Sequence, residues 1–215
     1  MKSLLILVFT IISLVSFSQE KGTKSLELYY PNYYFYESFK FHLVPLKQPN
    51  VGITYSSFNF EKEKGFHISA DLYQHIGNYW SRKSLDSPGI INRRQIISLS
   101  FGRDKLLLEK KKISINWFGE GNFRTGYENW WTGTFGAELL FQKRFMLDFG
   151  ASIGSKITIK LPSNFSLSLE GKQSLYFFRW YNVFEIFDNT TSWDKGTPLT
   201  SLNVNFKLGY SLNSK

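Results

Sequence analysis

From Leu202 to Leu212 the chain alternates without a miss. Leu202, Val204, Phe206, Leu208, Tyr210 and Leu212 are apolar, while Asn203, Asn205, Lys207, Gly209 and Ser211 between them are polar or small. A period of two places each set on its own face of a β-strand, whereas an amphipathic helix needs apolar residues three and four apart. The same pattern runs through Ile113, Ile115 and Trp117, through Phe165, Leu167 and Leu169, and through Phe135, Ala137, Leu139 and Phe141. It recurs from Leu147 through Phe149, Ala151, Ile153, Ile157 and Ile159, at Val51, Ile53 and Tyr55, and at Phe66, Ile68, Ala70 and Leu72. Followed along the chain, it predicts ten strands near 25–36, 50–60, 66–77, 94–107, 112–124, 133–142, 145–161, 165–171, 174–187 and 199–212. Pro31 interrupts the first of these, since proline removes a ladder donor. Eight strands, or twelve if 40–44 adds a hairpin arm, fit the same pattern.

The connections fall into two kinds. Short, Lys-rich turns are expected at 61–65, 109–112, 142–144 and 171–174, with a tight turn at Pro162, Ser163 and Asn164. Longer polar connections are expected at 37–50, 78–93, 125–132 and 188–198. Alternation of short and long connections predicts an antiparallel up-and-down transmembrane β-barrel, with the short turns and both termini in the periplasm. A soluble barrel or sandwich shows the same period, so the aromatic residues discriminate. Tyr29, Tyr30, Tyr33, Tyr34 and Tyr36 cluster at one end; Tyr79, Trp80, Tyr127, Trp130, Trp131, Phe177, Phe178, Trp180 and Tyr181 fall near predicted strand ends. Such residues suit the headgroup belts of a bilayer and are liabilities on a soluble surface.

Residues 1–18, MKSLLILVFTIISLVSFS, read as a signal peptide: Lys2, an apolar stretch from Leu4 to Phe17, then Ser16 and Ser18 before a cut. The barrel domain then occupies 19–215. The full chain carries 26 basic and 17 acidic residues, a formal charge of +9, and loss of Lys2 leaves +8. Export makes lipid headgroups, not nucleic acid, the natural partner of this charge. There is no Cys, which excludes disulfides, thiolate catalysis, cysteine-based metal centres and an N-terminal lipidated cysteine. Gly150, Ala151, Ser152, Ile153, Gly154, Ser155 and Lys156 approach a phosphate-loop spelling but fall one residue short and continue a strand.

The signal peptide ending Ser18-Gln19, the Lys-rich turns and the final strand with Tyr210 resemble small outer-membrane β-barrel proteins of Bacteroidota. The resemblance implies an integral outer-membrane location and contact with outer-membrane lipid, lipopolysaccharide and other outer-membrane proteins. It implies no cofactor.

With the apolar face toward lipid, the other face lines a lumen. Asp71, Glu120, Glu138, Asp148 and Glu170 are its acids, and Arg124, Lys156, Lys172 and Lys207 its bases. Mixed charge in so narrow an interior favours ion pairing and a plugged lumen over a pore. His67, Ser69, Asp71, Tyr73 and His75 share one face of one strand and invite a hydrolase reading. However, a rise of about 3.3 Å per residue sets His67 roughly 13 Å from Asp71 and roughly 26 Å from His75. His67-Ile68-Ser69 resembles the His-x-Ser of lipid A deacylases, with Ala70 where an asparagine usually follows. No metal-ligand cluster is apparent. Tyr127, Trp130, Trp131, Trp180 and Trp193 are candidates for an interfacial girdle or a partner surface. The expected function is therefore a non-enzymatic structural or accessory barrel of an envelope complex. The alternatives are a lipid-modifying enzyme using His67 and Ser69, or a small selective channel.

Overall fold

The computed structural model describes residues 23–30, 33–37, 40–41, 50–79, 89–134, 137–186 and 189–212. The expected signal peptide, 1–18, and residues 213–215 lie outside the described residues. The described residues form eleven antiparallel strands: β1 Thr23–Tyr29, β2 Tyr33–Glu37, β3 Lys40–Phe41, β4 Val51–Asn59, β5 Lys64–Tyr79, β6 Gly89–Lys110, β7 Ile113–Thr134, β8 Ala137–Lys160, β9 Phe165–Glu185, β10 Thr190–Lys195 and β11 Leu199–Leu212.

Eight of them close a ring, in the order β1, β4, β5, β6, β7, β8, β9, β11 and back to β1. β2 takes over from β1 along the upper half of β11, with Tyr36 opposite Thr200, so the break around Pro31 divides one barrel stave. β10 likewise continues the stave of β11 along the far end of β9, with Trp193 opposite Asn182.

Register gives the ring its shape. A path across the ladders from Leu26 runs through Tyr55, Ile68, Phe101, Gly121, Ala151, Leu175 and Thr200 and returns to the first stave at Tyr36, ten residues from its start. Eight strands with that stagger tilt by about 40° and enclose an interior just wide enough for side chains.

Alternation then sorts the residues. Large apolar side chains stand on the outside, Phe206 being 71% and Ile153 68% exposed, while serines, asparagines and charged groups fill the inside. This inside-out distribution is that of a membrane barrel, not a soluble one. Aromatic residues bound the apolar band. Phe165 packs on Tyr210 near one edge, and Tyr127 packs on Phe145 near the other. Ten residues of β7 separate Trp117 from Tyr127, which at about 3.3 Å each and 40° of tilt is about 25 Å, the height of an outer-membrane apolar band. Strands β6 to β9 hold 21 to 24 residues each, so they continue beyond the band at the end opposite the short turns.

Two of the ten predicted segments are not separate strands. Residues 142–144 lie within β8, and 171–174 within β9. Their polar residues alternate with the lumen instead of marking turns: Lys172 and Ser174 are buried inside, and Gly171 and Gln173 point outward. The barrel therefore has eight staves. Residues 125–132, expected as a loop, are strand in β7 paired with β6 and β8. The expected loop 188–198 contains β10.

The turns at 60–63 and 111–112 fall where expected. Ser163 and Asn164 both take left-handed φ, 60° and 65°, and Phe165 N–H donates to Pro162 O at 3.4 Å, a type I′ hairpin suited to strand twist.

A bulge at Phe177 on β9, opposite the step from Phe149 to Gly150 on β8, lets Phe177 and Phe178 both face outward before alternation resumes. The strands approach closely there: a Cβ on Gly150 would sit 2.2 Å from Leu175 O, whereas one on Gly121 meets nothing within 4 Å. Gly150→Ala is therefore expected to destabilise the folded barrel by roughly 1–3 kcal/mol through forced backbone shifts. Gly121→Ala is expected to leave it unchanged. Urea titration of the heat-modifiable folded band in detergent reads both.

Candidate functional site

The interior is built in layers from the inward set of each stave. Next to the short turns, hydroxyls pair across neighbouring strands: Ser25 with Ser56 at 2.7 Å, and Thr158 with Ser168 at 2.9 Å.

The next layer is ionic. His67 on β5 faces Asp104 on β6 through Nδ1 at 2.8 Å and Glu120 on β7 through Nε2 at 2.9 Å. Lys172 on β9 donates to the other oxygen of Glu120 at 2.7 Å. Glu27 on β1 accepts from Lys156 on β8 at 3.2 and 3.4 Å, and from Ser168 at 3.3 Å. Lys207 lies 2.6 Å from Glu170 and 4.0 Å from Glu27, and it donates to Thr54 at 3.2 Å.

Several of these bonds join staves that are not neighbours in the ring. β1 and β8 are separated by two strands on the shorter way round, so the Glu27–Lys156 pair crosses the lumen. The Tyr29 hydroxyl donates to Asp71 across β4, and the ammonium of Lys207 sits 4.3 Å from the centre of the Tyr29 ring.

Above this lies a mixed layer. Arg124 donates twice to Asp148, which is fully buried, and its guanidinium lies 4.2 Å over Tyr176. Arg179 donates to the other Asp148 oxygen at 3.3 Å, to Thr197 O at 3.0 Å and to the Tyr181 hydroxyl. Tyr73, Ile96 and Met146 pack together with Tyr181 alongside. At the far mouth, a cavity of about 190 Å³ is bordered by Arg94, Arg144, Glu128 and Trp130. Arg94 donates to Glu128, and Arg144 lies 5.1 Å over the Trp130 ring.

The structure thus brings Asp71, Glu120, Arg124, Asp148, Lys156, Lys172, Glu170 and Lys207 into the lumen, each against a named partner. The side chains of Glu138, Trp131 and His75 lie outside the described residues. Ser69 is not joined to His67. Its hydroxyl pairs with Thr54 at 2.8 Å, while both His67 ring nitrogens are taken by carboxylates. That arrangement suits a ring donating from both nitrogens, which has no lone pair with which to act as a base. Among the described residues no group of His, Asp and Glu is placed to hold a metal ion. Tyr127 is 63% and Trp193 68% exposed, and Trp180 stacks on Phe178 on the outer face. Trp130, in contrast, borders the mouth cavity.

Sequence reasoning missed Glu27, Asp104, Arg179 and Tyr29 as lumen groups. Glu27 and Tyr29 sit beside Leu26 and Leu28 in ordinary alternation, which could have found them. Grouping Tyr29 with its tyrosine neighbours as a belt residue hides its place in that alternation.

No protein-family model and no curated protein matches the chain. Among solved structures, it is similar to a major outer membrane protein from Thermus thermophilus, with 9% identity and a TM-score of 0.59 over 90% of this chain and 100% of that one. The attachment invasion locus protein Ail of Yersinia pestis aligns over 90% of this chain and 100% of its own, with 11% identity and a TM-score of 0.47. Neisserial surface protein A covers 89% and 99%, with 8% identity and a TM-score of 0.45. The likeness to the Thermus protein shows the fold, that of an outer-membrane β-barrel.

Removing one partner of a buried ion pair leaves a stranded charge, which costs roughly 3–5 kcal/mol. Glu120→Gln should destabilise the barrel on that scale, because His67 and Lys172 lose the carboxylate charge they share and one of them faces an NH2 donor in place of an acceptor. The double variant Glu120→Gln/Lys172→Met should recover a large part of the loss. Urea unfolding of the wild type, both single variants and the double variant in lipid vesicles checks this, and additive losses would show that the pair is not coupled.

Proposed function

We propose that this chain is a non-catalytic barrel of the outer membrane, exported by cleavage after Ser18, whose lumen is a structural plug and whose outer end presents a partner surface within an envelope complex. The observation that carries the reading is the set of ion pairs and hydrogen bonds crossing the lumen, above all Glu27–Lys156 and Glu120 between His67 and Lys172. A side chain that meets one from across the ring occupies the space an ion would need, and each such bond must break before the lumen opens. In this reading the short turns and the termini face the periplasm, and the overhanging ends of β6 to β9, with β10, project outward.

The partner surface is supported by Tyr127 at the edge of the band and by β10, all six of whose residues are exposed, Trp193 among them. Large exposed aromatics are favoured anchors of protein interfaces. The bonding of His67 and Ser69 to other groups speaks against the lipid-modifying alternative, and the crossed lumen against the channel.

Quantitative mass spectrometry of the tagged protein, extracted from outer membranes in mild detergent beside an unrelated tagged barrel, is expected to recover a stoichiometric partner. Tyr127→Ala/Trp193→Ala should reduce that recovery about tenfold or more, the scale of losing interface anchors. Recovery of the barrel alone would overturn the accessory role. In planar bilayers the wild-type protein is expected to be silent across several salts, and discrete conductance would overturn the plug. A Ser69→Ala strain should show lipid A acyl chains identical to the parent; altered chains would restore the enzyme reading.

A further inference from the structure

The plug and the partner surface leave one feature of the outer wall unused. Near the short turns, across β4 to β7, the lipid-facing side carries a groove of about 560 Å³. Its walls are Phe66, Phe101 and Trp117, and its rim carries Lys64, Arg103 and Lys105.

The register explains both the hollow and the charge. Lys64 stands directly opposite Lys105, which stands opposite Trp117; one row further from the turns, Phe66 is followed by Arg103 and Gly119. A Cβ on Gly119 would find nothing nearer than Ser152 O at 4.0 Å, and Gly121 opens on empty space, so the floor lies where neighbouring positions carry side chains.

Like charges directly opposite on a sheet face repel. Among the described residues no ion pair joins Lys64, Arg103 or Lys105 to an acid. Asp104, which borders the groove, is 6% exposed and held by His67 on the inner side. Lys64, Arg103 and Lys105 therefore converge, with Lys62 of the adjoining turn beside them, on one exposed spot where no described ion pair neutralises them.

Trp117 marks the edge of the apolar band. The row through Lys64, Lys105 and Trp117 climbs with the strand tilt by about 3 Å per stave, so both lysines lie on the turn side of that edge, and the long side chain of Arg103 can reach down to it. Phe101 and the glycine floor lie on the hydrocarbon side of that edge. A ligand matching this surface carries an anionic group at the interface and an alkyl chain beside it.

We infer that the groove binds an anionic glycerophospholipid, with its phosphate among Lys64, Arg103 and Lys105 and an acyl chain lying over Gly119 and Gly121. The choice of glycerophospholipid over lipopolysaccharide rests on the proposed periplasmic placement of the short turns, which puts the groove in the inner leaflet.

Native mass spectrometry of the folded barrel in detergent tests this with phosphatidylglycerol, phosphatidylcholine, lipid A and inorganic phosphate as separate probes. Phosphatidylglycerol should be retained over phosphatidylcholine, and Lys64→Gln/Arg103→Gln/Lys105→Gln should weaken its retention about tenfold or more. Gly119→Leu, which fills the floor and keeps every charge, should weaken it as well. The charge-matched variant Lys110→Gln/Lys111→Gln/Lys112→Gln should retain it, and heat-modifiable migration confirms folding of each variant. Equal loss in the charge-matched variant, equal retention of phosphatidylcholine, or full retention by the triple groove variant would overturn the site. Preferential capture of lipid A through the same three residues would overturn the choice of lipid and the orientation, leaving the lumen plug standing. Capture of inorganic phosphate without the lipid would overturn the acyl slot.

Discussion

Ring closure is the constraint on which the rest of this structure depends. Eight staves returning with a stagger of ten residues leave an interior that side chains fill from wall to wall. Polar groups packed there have little water to turn to, and an unpaired charge would be costly. The interior charges must therefore pair with one another. They do so in layers above the serines and threonines nearest the turns: first the His67, Glu120, Lys172 and Glu27, Lys156, Lys207 clusters, then Arg124 and Arg179 on Asp148. Because acids and bases from distant staves meet, the same contacts that neutralise the charges also tie the walls together.

The outer wall obeys a different solvent. In the hydrocarbon there is no partner for a polar side chain, so leucine, isoleucine and phenylalanine face out and aromatic residues gather at the band edges. The three cations around the groove depart from that rule only at the band edge, where headgroups can meet them. Beyond the opposite edge β6, β7, β8 and β9 run on as paired strands. There the Arg94, Glu128 and Arg144 cluster continues the lumen's self-pairing as far as the mouth.

Alternation made the strands legible because a period of two survives any choice of partner. It made the inward set legible for the same reason: Glu120, Arg124, Asp148, Lys156, Glu170 and Lys207 were all readable as one face. Turn signals misled at 142–144 and 171–174, where lysine and glutamine look like a connection but Lys172 simply meets Glu120 inside. The stretch 125–132 misled in the same way, since a run of Asn, Trp and Thr reads as a loop until β6 and β8 pair with it on both sides. The bulge that turns Phe177 and Phe178 to the same side shows in the sequence only as a slip of phase, from Leu175 and Phe177 to Phe178 and Trp180.

By itself the sequence determined that the chain is made of amphipathic strands, that one face is greasy and the other charged, and that cysteine chemistry plays no part. Those properties belong to single residues and their neighbours along the chain. Tertiary structure decided the number of staves, the stagger, and which acid meets which base. Glu27 and Lys156 are 129 residues apart, and nothing local to either names the other. Their meeting follows from the register accumulated around a closed ring, a property of all eight ladders together.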